Sequence, residues 1–94
     1  MAEVLIVKYA NPYFRGYLYK THSKYSGSYF LDSTPDEQDE ERIGQEAAEI
    51  AKKLIRILGV MMIFVLPSEM RVGIKKWARW EDVEHAILAV INGK

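Results

Sequence analysis

The chain has no cysteine among its 94 residues. That absence removes disulfides, thiolate nucleophiles and the sulfur ligands of iron–sulfur clusters and most structural zinc sites. A long apolar run is also missing: the longest, Val60 to Leu66, falls far short of the roughly 20 residues that a membrane helix needs. The start, Met1-Ala2-Glu3-Val4, lacks a basic segment, and Val4 to Val7 is too short for a secretory leader, so a cytoplasmic protein with no membrane partner is expected. Neither a Ser-His-Asp arrangement nor a phosphate-binding glycine loop is visible, and no enzyme activity is expected. His22 falls in a polar loop and His85 on the outer side of the last helix, while the carboxylates from Asp36 to Glu41 diverge along a helix start. No metal or cofactor is expected from these groups.

What is present suits one modest core. Hydrophobic residues make up 49% and charged residues 28%, a globular balance. A chain this short buries only about 60–65% of the surface its unfolded form exposes, and residues 1–94 read as a single domain. The formal net charge of zero conceals segregation. Residues 1–31 and 52–79 are basic, whereas Asp32, Asp36, Glu37, Asp39, Glu40, Glu41, Glu46 and Glu49 face one cation, Arg42, between them.

Periodicity orders the elements. Val4 to Tyr9 reads as a strand stopped by Asn11-Pro12, and Tyr13 to Lys20 alternates as a second, with Phe14 and Leu18 on one side and Tyr13, Arg15, Tyr17 and Tyr19 on the other. A polar loop leads to a short strand at Ser28 to Asp32. Thr34-Pro35-Asp36-Glu37 predicts a helix with Thr34 as N-cap, running to Leu58 with Gly44 as a weak interior point and Gly59 as its stop. Its apolar stripe is Ile43, Ala47, Ile50, Ala51, Leu54, Ile57 and Leu58. Val60 to Leu66, apolar on both alternating faces, predicts an interior strand. It is paired through Pro67-Ser68-Glu69 with Met70 to Lys75, and a helix from about Arg79 to Ile91 follows. The order βββ-α-ββ-α predicts an α+β two-layer sandwich: a mainly antiparallel sheet with two helices on one face and the tyrosines on the open one.

Two groups of side chains are candidates for partner contact. Tyr17 and Tyr19, with the other tyrosines and Arg15, Lys20 and Lys24, would form an aromatic and cationic sheet face able to anchor a protein or to stack the bases of single-stranded nucleic acid. The same tyrosines equally suit half-buried strand positions with no further role. Lys75, Lys76, Trp77 and Arg79 form a basic-aromatic cluster at a strand–helix junction, with Trp80 in the core and Trp77 outside the helical stripe. A homo-oligomer using Met61, Met62 or tyrosine side chains is a further class of assembly.

Ile50-Ala51-Lys52-Lys53-Leu54-Ile55-Arg56-Ile57-Leu58-Gly59-Val60 resembles the helix end and Gly-Val pattern of the N-terminal domain of NifU/Nfu-type iron–sulfur scaffold proteins. Met61-Met62-Ile63-Phe64, then Met70-Arg71-Val72-Gly73-Ile74-Lys75 and Trp80, continue the likeness. Tyr9-Ala10-Asn11-Pro12 is a degenerate form of that family's Thr-Pro-Asn-Pro-Asn start, with a different spacing to the first helix. The family holds its cluster on a Cys-x-x-Cys motif in a separate domain, and these residues contain none. The resemblance therefore implies a non-catalytic accessory module that touches an iron–sulfur scaffold or client protein.

Overall fold

Every strand pair among the described residues is antiparallel. The computed structural model describes residues 3–93, leaving Met1, Ala2 and Lys94, and with them part of the chain start read above, outside the described residues. Its strands are β1 (Leu5–Lys8), β2 (Phe14–Leu18), β3 (Tyr29–Leu31), β4 (Val60–Leu66) and β5 (Glu69–Ile74); its helices are α1 (Glu37–Ile43), α2 (Gln45–Ile55) and α3 (Trp80–Ile91). The sheet order is β1-β2-β5-β4-β3. The β1–β2 and β4–β5 hairpins join through β2 and β5, from Phe14 opposite Gly73 to Leu18 opposite Glu69. β4 lies between β5 and β3, the interior place that a strand apolar on both faces requires. The α+β architecture and its element order agree with the sequence.

The first helix departs from expectation in both its start and its continuity. Asp36, not Thr34, is the N-cap: its carboxylate accepts from the Asp39 N–H at 2.9 Å, and the Asp39 carboxylate accepts from the Asp36 N–H at 2.9 Å. This reciprocal box satisfies two end donors of the helix. Tyr29 donates its hydroxyl to the same Asp39 carboxylate and so ties β3 to the helix start. The helix then breaks at Gly44, whose φ of 91° and ψ of 158° are open almost only to glycine. The predicted single helix to Leu58 is thus two helices, and the second ends at Ile55. Three helices, not two, pack on the sheet.

One face of the sheet carries the core. Tyr17, Ile63, Val65, Met70 and Val72 are fully buried there under Ala47, Ala51 and Leu54 of α2 and Val83 and Ile87 of α3. The alanines let α2 lie close to the sheet, while Val83 and Ile87 recur four residues apart on α3. Leu58, assigned to the apolar stripe by periodicity, is 81% exposed because the helix has already ended. Among the described residues, no helix lies on the opposite face. Directly paired strand residues point the same way, so Phe30 and Phe64, Phe64 and Arg71, Arg71 and Gly16, and Phe14 and Gly73 share this open face.

Candidate functional site

The end of the sheet where β5 runs into α3 gathers the exposed basic-aromatic residues. Lys75 donates its N–H to the Gly59 carbonyl at 2.8 Å, and Ala78 donates to the Lys75 carbonyl at 2.9 Å, closing a turn that puts Lys75, Lys76 and Trp77 on its outside. α3 begins with Arg79 as an extended N-cap that offers no side-chain acceptor. Trp77 is 62% exposed. Its ring stands at the edge of a groove of about 520 Å³, lined by Ile57, Leu58, Ala78, Val83 and Ala86 with Arg79 and Asp82 at the rim. The Lys75 ammonium lies 5.9 Å from the Trp77 ring centre, a cation–π separation. Lys76 is exposed, and Arg79 meets Glu81 at 3.0 Å. Lys75, Lys76, Trp77 and Arg79, which the sequence groups at the strand–helix junction, are all exposed there, and Leu58 lines the same groove as Trp77.

Tyr17 and Tyr19 do not belong to that surface or to the open sheet face. Tyr17 is fully buried opposite Met70, and its hydroxyl donates to the Glu84 Oε1 at 2.8 Å. Burial, then the bond to Glu84, pushes the phenol well above its ordinary pKa. Arg15 Nη1 donates to the same oxygen at 2.8 Å, and its guanidinium carbon lies 4.8 Å from the Trp80 ring centre. Trp80 in turn donates Nε1–H to the Pro12 carbonyl at 2.8 Å. Tyr17, Glu84, Arg15 and Trp80 are therefore a polar seam that fixes α3 to β2. Tyr19 packs against the core with its hydroxyl buried, and burial raises its pKa. Tyr29 also packs on the helix side. Alternation predicts that Tyr17 and Tyr19 share a face, and they do; it carries no information on which face the helices cover.

The open face instead carries phenylalanines around one ion pair. Phe30 and Phe64 have ring centres 5.1 Å apart, and Phe14 and Phe64 6.2 Å. Phe14 lies on bare backbone at Gly73, where a Cβ would come 2.8 Å from its Cε1. In the middle, Arg71 Nε and Nη2 donate to the two carboxylate oxygens of Glu69, each at 3.1 Å, and the Tyr9 hydroxyl donates to Glu69 Oε2. The Arg71 guanidinium carbon is 4.8 Å from the Tyr9 ring centre. Burial alone would raise the Glu69 pKa, but the bonds from Arg71 and Tyr9 outweigh it and hold the carboxyl below its ordinary range. The same bond, with some burial, raises the Tyr9 phenol. Sequence reasoning took Glu69 as a turn residue and missed this cluster; its signal was Glu69 and Arg71 two residues apart on a strand, hence on one face.

Among the described residues, no three His, Asp or Glu side chains converge to hold a metal ion, and no helix is long and apolar enough to cross a membrane. No family model matches the chain, and no curated protein matches it in sequence. Its fold is similar to that of protein SAV1430 from Staphylococcus aureus, a structural genomics target. The crystal structure of that protein agrees with TM-score 0.76 and 19% identity over 95% of this chain and 98% of SAV1430. Its solution NMR structure agrees with TM-score 0.69 and 19% identity over 100% and 93%. At such identity the likeness is one of fold, which leaves function to the side chains.

Proposed function

We propose that this chain is a non-catalytic partner-binding module that engages another protein through the Trp77 junction. The observation that carries the reading is that two exposed apolar side chains, Trp77 and Leu58, line one groove, with the exposed Lys75 and Lys76 on the turn that carries Trp77. Trp is the residue most enriched among interface anchors, and a groove beside it supplies the desolvated pocket that anchors need. Lys75, Lys76 and Arg79 favour a partner segment that brings an apolar side chain with carboxylates on either side. The likeness of Ile50 to Val60 and Met70 to Lys75 to NifU/Nfu N-terminal domains supports a scaffold or client of iron–sulfur assembly as that partner. With no thiol of its own, this chain leaves thiolate-held clusters to the partner.

The test is amide and indole NMR of the labelled chain titrated with a Cys-x-x-Cys scaffold domain of the same organism. Shifts centred on the Trp77 indole, Leu58 and Ala86 are expected, and Trp77→Ala should weaken binding by about tenfold or more. Shifts that avoid Trp77, or binding indifferent to its removal, would sink the assignment.

A further inference from the structure

The geometry points to the open sheet face as a self-association surface on which two copies of this chain meet face to face about a two-fold axis. This inference stands on a different surface from the Trp77 junction and does not depend on the iron–sulfur reading. Three features of the face select a second copy as the occupant. The first is charge. Its charged strand residues, Glu69 and Arg71, are bonded to each other, with Tyr9 donating a third hydrogen bond to the carboxylate. The described strand residues of this face therefore offer no free cation to a phosphate backbone and no unpaired charge to a charged partner. Against itself such a neutral surface brings no like-charge repulsion.

The second feature is shape. Phe30, near one edge of the face on β3, is 48% exposed and stands out as a knob. Across the same face, Tyr9, Asn11, Phe14, Phe64 and Arg71 line a depression of about 260 Å³, large enough for a phenyl ring. An isologous interface requires a projection and its recess on one surface, each copy filling the other. With the axis between them, the Phe30 ring of each copy enters the Phe14–Phe64 depression of the other and meets two aromatic rings and the Arg71–Tyr9 stack. The third feature is area. Five strands about 4.8 Å apart, each presenting about five residues at roughly 3.3 Å, cover on the order of 400 Å² of flat sheet per copy. Side-chain relief brings the total buried by two copies to roughly 1,000 Å², the weak end of specific interfaces. The dimer is accordingly reversible, in exchange with monomer.

The experiment is sedimentation equilibrium of the whole chain from about 10 μM to about 1 mM, with amide NMR over the same dilution. The weight-average mass should climb from 10.9 kDa toward twice that value, and the concentration-dependent shifts should fall on Phe14, Phe30 and Phe64. Mixed labelled and unlabelled chains should show contacts between the Phe30 ring and Tyr9 or Phe14 of the other copy. Phe30→Glu, and the milder Phe30→Ser with folding checked by circular dichroism, should raise the dissociation constant by about tenfold or more. Trp77→Ala should leave it unchanged. A monomeric mass across the range overturns the inference, as does a dimer abolished by Trp77→Ala and indifferent to Phe30. Shifts on the phenylalanines caused by an oligothymidylate while the chain stays monomeric would assign the face to nucleic acid instead.

Discussion

The two faces of strand β4 carry the same kind of residue and meet different fates. Ile63 and Val65 are fully buried under α2 and α3, whereas Met62, Phe64 and Leu66, alternating with them, stay half-buried. On the covered face shape is satisfied by helices whose alanines allow close approach. On the open face rings shield one another, and glycine at position 73 lets Phe14 lie flat. The polar groups differ in the same sense. Tyr17, Arg15 and Glu84 fasten a helix to the covered side, while Tyr9, Arg71 and Glu69 bond to one another on the side that no described helix covers. An apolar strand face is thus no guide to whether its partner lies within the chain.

Truncation should separate the faces most sharply. Ile63→Ala or Ile87→Ala removes fully buried methyls from sites that relax poorly, and each should cost about 2–5 kcal/mol in denaturant unfolding. Phe64→Ala removes a larger side chain from a half-hydrated place and should cost less, about 1–2 kcal/mol in dilute solution. Equal losses would mean that the open face is covered even in the monomer. Gly73→Val probes the open face from the opposite direction, by crowding it. A Cβ at that position lies 2.8 Å from Phe14 and 2.9 Å from Met62, so the larger side chain must displace both, at about 1–3 kcal/mol.

The ion pair sets how the open face responds to pH. The Glu69 carboxyl is held below its ordinary range in the fold, so its contribution is present above about pH 4.5 and is lost as pH falls through the folded value. Tyr9 is raised, so its contribution is present below about pH 10 and is lost as pH rises through its folded value. Tyr9→Phe should cost about 1 kcal/mol at neutral pH by leaving a buried carboxylate short of one donor. It should also move the acid unfolding midpoint to higher pH, because one of the two partners whose hydrogen bonds lower Glu69 is gone. An unchanged acid midpoint would mean that Arg71 alone sets the charge state of Glu69.

Sequence pattern revealed the strands, their hairpins and the final helix because each has one dominant period: Val72 and Ile74 alternate, and Val83 and Ile87 recur at a helical step. Other features escaped it. Gly44 reads as a tolerable interior glycine in a long helix, yet the chain uses its left-handed freedom to turn α1 against α2. Whether Tyr17 points to helices or to solvent depends on which side α2 and α3 settle, a global choice that period two within β2 cannot express. The junction from Lys75 to Arg79 was legible because its exposure is local: a short turn outside both periods cannot bury every side chain. Glu69 was not, since its partners Tyr9 and Arg71 converge only when β1, β2 and β5 are aligned.

The two tryptophans give the smallest stability effect and the most direct check on the proposed contact surface. Trp80 packs against the core, donates to the Pro12 carbonyl and lies under Arg15, so Trp80→Phe should cost about 1 kcal/mol through the lost hydrogen bond. Trp77 has no hydrogen bond of this kind and is 62% exposed; Trp77→Ala should change stability by no more than about 0.5 kcal/mol. With Trp80→Phe as background, the remaining indole should emit as a hydrated one and blue-shift only when a partner covers it. A blue-shifted emission from the isolated chain, or a loss above about 1.5 kcal/mol on Trp77→Ala, would make Trp77 a packing residue and leave the junction without its anchor.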